Sequence, residues 1–290
     1  MQVQVAANGL RFDVETAGEG DDLVLLLHGF PETALAWRAQ ISALAAEGYR
    51  VWAPSQRGYS AGARPAGIAA YRLEHLLGDV AALIDAARAR RVTLVGHDWG
   101  GAVAWLFAMR RVRPLERLVV LNCPHPAVLL ARLRGTQALR SWYVLFFQLP
   151  WLPEMLMRAG RGHATTELLR RTARDPSCFA PETLHAYRRL VTEPGAATAM
   201  LNWYRAAVRG GGLPAQTRVG FPRIDVPTLL IWGDRDVALG LETTRGTERY
   251  VRDCTLRVLP GVSHWVQHEA PGVVNAMLAA FLAGAPVPEV

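Results

Sequence analysis

The sequence predicts an α/β protein in which a mostly parallel sheet is flanked by helices and interrupted by a helical insertion. Short, continuous apolar runs such as residues 23–27 are typical of strands that are buried on both faces. These runs alternate with amphipathic helical patterns, which favours a parallel sheet covered on both sides. Between residues 124 and 221 no buried-strand pattern occurs, and helical segments broken by prolines replace it.

The predicted elements follow one another in the order that such a sheet requires. Before the insertion, the sequence predicts strands at 10–16, 23–27, 49–53, 92–95 and 118–121, with helices at 35–46, 73–84 and 102–110. After it, the sequence predicts strands at 226–232 and 255–259 and a last helix at 271–282. We therefore expect a core domain of residues 1–123 and 222–290 and a helical cap of residues 124–221.

Length and composition exclude several classes of protein. The chain has 290 residues, of which 51% are hydrophobic, so it can bury a large core and is not expected to be disordered. No apolar run reaches the ~18 residues that span a bilayer, and the first residues lack the pattern of a secretory signal. We expect a cytoplasmic protein without stable membrane insertion.

Charged residues and cysteines predict neither a nucleic-acid partner nor a cofactor. The formal net charge is +7 and all 32 basic residues are Arg, but the arginine pairs are scattered and interleaved with acids. The three cysteines lie far apart without a C-x-x-C motif, which is typical of reduced, packed thiols. Neither a metal-ligand spacing of histidines nor a Gly-rich phosphate-binding loop occurs, so we expect no metal and no organic cofactor.

The strongest indication of function lies in Gly96-His97-Asp98-Trp99-Gly100. This segment follows a predicted strand and precedes an apolar helix, which is the arrangement of a nucleophile elbow. Its glycines permit a sharp turn that exposes the middle side chain, here Asp98, where esterases and lipases have Ser. A carboxylate attacks a saturated carbon that bears a leaving group, and water must then hydrolyse the resulting ester. An Asp that only caps the helix is the alternative interpretation.

The loop after the first buried strand predicts an oxyanion hole. It reads His28-Gly29-Phe30-Pro31-Glu32. In this architecture one backbone N–H comes from that loop and another from the residue after the nucleophile. The predicted donors are therefore the N–H groups of Phe30 and Trp99. An ordinary strand-ending turn with a buried His28 is the alternative.

Two later loops supply a candidate base and acid. His264 follows the strand at 255–259 and is predicted to take a proton from water. Asp236 follows the strand at 226–232 and is predicted to orient the imidazole. Asp234 is the alternative orienting group, although its place near the strand end fits hydrogen bonds to loop amides.

With these motifs, the chain resembles the α/β-hydrolase superfamily and, within it, the soluble epoxide hydrolases. The resemblance covers nearly the whole length and is carried by H-G-F-P-E at 28–32, G-H-D-W-G-G at 96–101 and N-C-P-H-P at 122–126. It implies the α/β-hydrolase fold, with a helical cap inserted after the sixth core strand. It also implies conversion of an apolar epoxide and water to a vicinal diol.

The resemblance assigns a function to aromatic residues of the predicted cap. Residues 141–148 and 201–205 are similar to the segments that carry two ring-opening tyrosines, which assigns this function to Tyr143 and Tyr204. Phenols with a pKa of about 10 can hydrogen-bond an ether oxygen and give it a proton. The side chains expected to contact the substrate are Trp99, Trp142, Phe147 and Trp203.

Two other functions stay open. Haloalkane dehalogenases resemble this chain in fold, Asp nucleophile and His base, but they need a second halide donor beside Trp99. Phe30 occupies the position where that donor is usually Asn, whereas Trp142, Trp151 and Trp203 are further candidates. A non-catalytic binding protein of the same fold usually loses part of the site, which is not the case here. We expect a monomer or a homodimer.

Overall fold

The computed structural model describes residues 1–133, 135–210 and 212–290, without the side chains of 213–215. Within these residues the strands form one eight-stranded sheet in the order β1-β2-β4-β3-β5-β6-β7-β8. The strands are β1 (Gln2–Ala7), β2 (Leu10–Ala17), β3 (Asp22–Leu27), β4 (Arg50–Pro54), β5 (Arg91–His97), β6 (Arg117–Leu121), β7 (Thr228–Gly233) and β8 (Cys254–Leu259). Strand β2 pairs antiparallel with both β1 and β4, and the six strands from β3 to β8 run parallel to one another. The predicted α/β class and mostly parallel sheet are confirmed.

Helices cover the sheet and fill the segment between β6 and β7. The helices of the core are α1 (Arg38–Ala46), α2 (Leu73–Ala87), α3 (Trp99–Met109), α12 (Val266–Glu269) and α13 (Pro271–Leu282). Those between β6 and β7 are α4 (Pro126–Arg132), α5 (Thr136–Arg140), α6 (Trp142–Phe146), α7 (Leu152–Arg158), α8 (His163–Thr172), α9 (Pro181–Thr192), α10 (Ala196–Arg209) and α11 (Gly212–Val219). Short 3-10 helices lie at Ala34–Trp37, Ala61–Ala63, Ile68–Tyr71, Pro176–Cys178, Leu241–Thr244 and Thr247–Arg249.

The continuous apolar run of β3 is buried because both faces of the sheet are covered. Leu25 and Leu27 pack on the face that also holds Trp105 of α3. Val24 and Leu26 point the other way, into the cluster completed by α1 and α13. Because successive side chains of a strand point to opposite faces, alternate residues of β3 stabilise two separate layers. Burial of each large apolar side chain contributes about 1.5–3 kcal/mol.

The sheet register brings several loops to one edge. Leu27 pairs with Gly96, so the loops that follow β3 and β5 leave the sheet side by side. Leu121 pairs with Ile231, which places the ends of β6 and β7 next to them. The carboxyl ends of parallel strands are where open α/β sheets bind ligands.

The segment between β6 and β7 is helical, as predicted, and contains no strand among the residues that the structure describes. The division into a core domain and a separate cap at residues 124 and 221 stays a prediction. In residues 1–133, 135–210 and 212–290 no helix combines the length and apolar character that crossing a bilayer requires. The cytoplasmic location also stays a prediction.

Candidate active site

The turn after β5 holds Asp98 in a rare backbone conformation. Asp98 has φ +51° and ψ −118° and directly precedes α3. The flanking glycines are needed because a Cβ atom on Gly96 would lie 2.3 Å from the carbonyl oxygen of Gly100. A Cβ atom on Gly100 would lie 2.1 Å from the carbonyl oxygen of Leu27. The sharp strand-to-helix turn expected from the motif is therefore present, with the Asp98 side chain at its tip.

The two carboxylate oxygens of Asp98 have different neighbours. Oδ1 accepts a hydrogen bond of 2.8 Å from the backbone N–H of Phe30, in the loop after β3. Oδ2 lies 3.7 Å from Nε2 of His264. Trp99, which carries the other predicted oxyanion donor, is the first residue of α3, where backbone N–H groups have no acceptor within the helix. The structure thus brings the predicted nucleophile, base and oxyanion donors together.

Asp236 holds the imidazole of His264. Its Oδ2 lies 2.6 Å from Nδ1 of His264 and also accepts a hydrogen bond of 2.7 Å from the side-chain amide of Asn122. Its Oδ1 accepts hydrogen bonds from the backbone N–H groups of Ala238 and Leu239. Four hydrogen bonds therefore fix a buried carboxylate, which in turn fixes the orientation of the ring.

Asp234, the alternative orienting group, lies elsewhere. Its Oδ1 accepts a hydrogen bond of 2.7 Å from the backbone N–H of Gly261, and Arg235 lies 3.6 Å away. Asp234 therefore ties together the loops after β7 and β8, as its place near the strand end indicated. The carboxylate bonded to His264 is that of Asp236.

The charges around His264 reverse the effect of its burial. Burial alone lowers the pKa of His264, but the charge and hydrogen bond of Asp236, with the charge of Asp98, raise it to about 9. Burial raises the pKa of Asp236, yet the charge and hydrogen bond of His264 keep it below its usual range. At neutral pH the imidazole is therefore protonated between two carboxylates.

Tyr143 of α6 and Tyr204 of α10 meet next to Asp98. Their ring centroids are 6.0 Å apart with an interplanar angle of 80°. Burial raises the pKa of both phenols above the usual range, and the charge of Asp98 raises each further. Both phenols therefore stay protonated at neutral pH and keep an O–H donor.

Aromatic rings surround these two phenols. The ring of Phe147 lies 4.8 Å from that of Tyr204 and 5.5 Å from that of Phe30, between centroids. The ring of Trp99 lies 5.0 Å from that of Tyr204. The surface next to Asp98 is therefore mainly apolar, with few polar groups.

Two of the predicted substrate-binding residues, Trp203 and Trp142, differ in exposure to solvent. Trp203 is buried against Trp99, with ring centroids 5.7 Å apart, and its indole N–H donates a hydrogen bond of 2.9 Å to the carbonyl oxygen of Arg57. Trp142 is 64% exposed and contacts Phe146. Because Tyr143 faces inward, its neighbour on the same short helix faces out, and the expectation that Trp142 lines the pocket is not met.

Behind His264 lies a buried polar group to which the sequence analysis assigned no function. Glu32 is fully buried, with Oε1 2.6 Å from Nε2 of His268 and Oε2 3.4 Å from Nδ1 of His97. Nε2 of His97 lies 2.9 Å from the carbonyl oxygen of His264. Burial raises the pKa of Glu32, but the charge and hydrogen bond of His268 hold it well below its usual range. His268 lies in α12, which only the fold brings next to the loop of Glu32, so this contact has no local signal in the sequence.

The described residues contain no group of three or more His, Cys, Asp or Glu side chains arranged to hold a metal ion. The cysteines are Cys123, Cys178 and Cys254, all free. Burial raises the pKa of Cys178 to about 12 and that of Cys254 to about 11. These side chains are therefore thiols, not thiolates, at neutral pH.

Comparisons with known proteins identify the family. The chain matches the alpha/beta hydrolase family over residues 24–277. It is 39% identical over 282 residues to the AB hydrolase superfamily protein YfhM of Bacillus subtilis (strain 168), covering 96% of each chain. It is 35% identical over 315 residues to Epoxide hydrolase A of Mycobacterium tuberculosis, covering 97% of this chain and 96% of the relative. The solved structure of Epoxide Hydrolase A from Mycobacterium thermoresistibile matches with a TM-score of 0.84 and 29% identity, covering 99% of both chains.

The chain belongs to the alpha/beta hydrolase family. Within that family it resembles the epoxide hydrolases, as its motifs predicted, and the predicted α/β-hydrolase fold is confirmed.

Proposed function

We propose that this protein hydrolyses an apolar epoxide to a vicinal diol through an ester formed on Asp98. The arrangement around Asp98 carries the proposal: one oxygen is bonded to the Phe30 N–H, the other faces His264, and two phenols lie close by. Relatives named epoxide hydrolases that match almost the whole chain support the same reaction.

In the first half-reaction, Oδ2 of Asp98 attacks the less hindered epoxide carbon. The carbon–oxygen bond of the ring breaks, and negative charge develops on an oxygen that stays tethered to the substrate. Tyr143 and Tyr204 hydrogen-bond this oxygen and supply its proton. The Phe30 N–H holds Oδ1, so Oδ2 is the oxygen free to attack.

In the second half-reaction, water hydrolyses the ester. Forming the ester removes the charge of Asp98, which had helped to raise the pKa of His264, so the imidazole releases its proton, which restores the phenol that gave one, and can then accept another. His264, held by Asp236, takes a proton from water, whose oxygen attacks Cγ of Asp98. The new oxyanion develops on Oδ1, within reach of the Phe30 and Trp99 N–H groups. The bond from Cγ to Oδ2 breaks, the alkoxide on Oδ2 takes the remaining proton of the attacking water as the Asp98 carboxylate forms again, and the diol leaves with Oδ2.

The tryptophans give less support to a haloalkane dehalogenase. The indole N–H of Trp203 donates to the carbonyl oxygen of Arg57, and the ring of Trp99 packs against that of Tyr204. Trp142 and Trp151 are exposed. These contacts leave a halide without a pair of indole donors, whereas the two phenols suit an epoxide oxygen.

A single turnover in ¹⁸O-labelled water tests the ester. We expect the first diol to carry no label and the label to enter the Asp98 carboxylate, because the diol takes Oδ2. Label in the first diol would show direct attack by water and overturn the proposal.

The variant Asp98→Asn is the companion test. It should lose at least roughly 10³-fold in turnover of styrene oxide while keeping its melting temperature. Halide release from a brominated alkane, assayed alongside, should stay negligible in the wild type. Halide release that exceeds diol formation would favour the dehalogenase.

A further inference from the structure

Large apolar side chains are exposed together on the outside of α5, α6 and α7. We call this surface the apolar outer face. In the described part of the chain, other large apolar side chains are exposed singly, as at Leu168 and Leu256. The residues of the apolar outer face are Leu139, Trp142, Leu145, Leu149, Trp151, Met155 and Leu156.

Helical spacing places some of these side chains on the same side of their helix. Trp142 and Leu145 lie three residues apart in α6 and so on one side of it, and Leu149 follows just after the helix, where its N–H donates to the carbonyl oxygen of Phe146. Met155 lies one turn after Trp151, to whose carbonyl oxygen its N–H donates. Leu145 and Trp151 are each 71% exposed, which is unusual for soluble proteins when such residues are adjacent.

Exposed arginines flank this face, and one carboxylate, that of Glu242, accepts a hydrogen bond from the Thr136 hydroxyl at its α5 end. Arg132, Arg158 and Arg161 are exposed and form no salt bridge within the residues described by the structure. Between residues 126 and 166 the sole acid is Glu154. Its carboxylate is bound by Arg205 at 2.5 and 3.0 Å, so it does not offset these arginines.

We propose that the apolar outer face docks on the surface of an anionic phospholipid bilayer. Leucine and tryptophan side chains enter the boundary between headgroups and acyl chains, and arginines around them bind the phosphates. A second copy of the chain is a poorer occupant, because pairing this face with itself brings arginines of like charge together. Docking of this kind requires no spanning helix.

Docking would also place the site beside the bilayer. The same helix, α6, carries Leu145 on its outer side and the inward-facing Tyr143. An apolar molecule dissolved in the lipid would then be separated from Asp98 by one layer of helices. The docking itself does not depend on the proposed hydrolysis.

Sedimentation with lipid vesicles tests the proposal. We expect the wild type to sediment with phosphatidylcholine vesicles that contain phosphatidylglycerol, and to do so less with phosphatidylcholine alone or at high salt. The double variant Leu145→Ser/Trp151→Ser should bind roughly tenfold more weakly. Arg158→Gln should weaken binding about fivefold.

The double variant Leu168→Ser/Leu256→Ser is the matched control and should bind like the wild type. Melting temperatures of all variants check that they are folded. Binding that is absent in the wild type, or unchanged in Leu145→Ser/Trp151→Ser, overturns the proposal. A wild-type dimer that this variant converts to a monomer, without vesicle binding, would assign the face to a second copy instead.

Discussion

The two oxygens of Asp98 differ in surroundings, and this difference gives each a separate task. Oδ1 is held by a backbone N–H, whereas Oδ2 faces the imidazole of His264. The negative charge on this carboxylate also raises the pKa of His264, after the larger effects of burial and Asp236. One side chain therefore acts as candidate nucleophile and controls when the candidate base can work.

This coupling predicts a measurable change in the pKa of His264. In Asp98→Asn the charge of the carboxylate is lost, so the pKa of His264 should fall below about 9, in the direction expected for the ester intermediate. NMR titration of the imidazole in wild type and variant measures the shift. An unchanged pKa would mean that Asp98 does not control the base.

Asp236 and Asp234 offer a matched pair of substitutions. Asp236→Asn removes the carboxylate bonded to Nδ1 of His264 and should reduce turnover about 10⁴-fold, the size seen when a triad carboxylate is neutralised. Asp234→Asn changes a loop contact with Gly261 and should alter turnover by less than about tenfold. Steady-state kinetics of both variants decide, and a larger loss in Asp234→Asn would reverse the assignment.

At the scale of single residues, the sequence predicted the site residues that local motifs mark. It missed those that only the fold brings next to the site. Asp98 and His264 stand in recognisable strings after strands. The amide of Asn122 reaches Asp236 because β6 and β7 are neighbours in the sheet. Trp142 was misplaced because its position in the chain says nothing about which side of a five-residue helix it occupies.

At the scale of elements, the turn into α3 is the most constrained piece of the site. Gly100 is the second residue of α3, and Gly272 is the second residue of α13. An added Cβ on Gly100 would meet the carbonyl oxygen of Leu27, whereas one on Gly272 would meet nothing within 4 Å. The same substitution should therefore have opposite effects at the two helix starts.

Gly100→Ala should lower the free energy of unfolding by about 1–3 kcal/mol, because a clash with backbone cannot relax cheaply. Gly272→Ala should raise it by about 0.4–1 kcal/mol, because alanine restricts the unfolded chain. Urea unfolding of both variants measures the change. Equal effects would show that the tight approach of α3 to β3 is not what Gly100 permits.

Elements with a buried face were predictable, and those without one were less so. The last helix was predicted at 271–282 and is found there, whereas the helix predicted at 35–46 begins as a 3-10 turn and becomes α-helical at Arg38. Bounds inside the insertion were not predictable. Its helices are short, and exposed apolar residues such as Leu145 and Trp151 break the rule that apolar positions mark the inner face.

At the scale of the whole molecule, two histidines make the fold sensitive to acid. His28 is buried below the site, where the N–H of Gln56 donates to its Nε2. His125 is buried before α4, and its Nδ1 accepts the N–H of Ala127. Burial lowers the pKa of each to about 4 from 6.5, so both rings are neutral in the folded protein.

A lowered pKa in the folded state sets the sign of the effect. The unfolded chain binds protons at these rings below pH 6.5, whereas the folded protein does so only near pH 4. The free energy of unfolding should therefore fall as the pH is lowered from 6.5 toward 4. At pH 5 each ring should account for about 2 kcal/mol of this fall. His125→Asn keeps an acceptor at the helix start and should remove the share of this fall that His125 contributes, about 2 kcal/mol at pH 5. His185→Asn, at an exposed position, should keep all of it. Urea unfolding from pH 7 to 5 measures how the free energy of unfolding changes with pH. The same change in His125→Asn and in the wild type would show that His125 does not contribute.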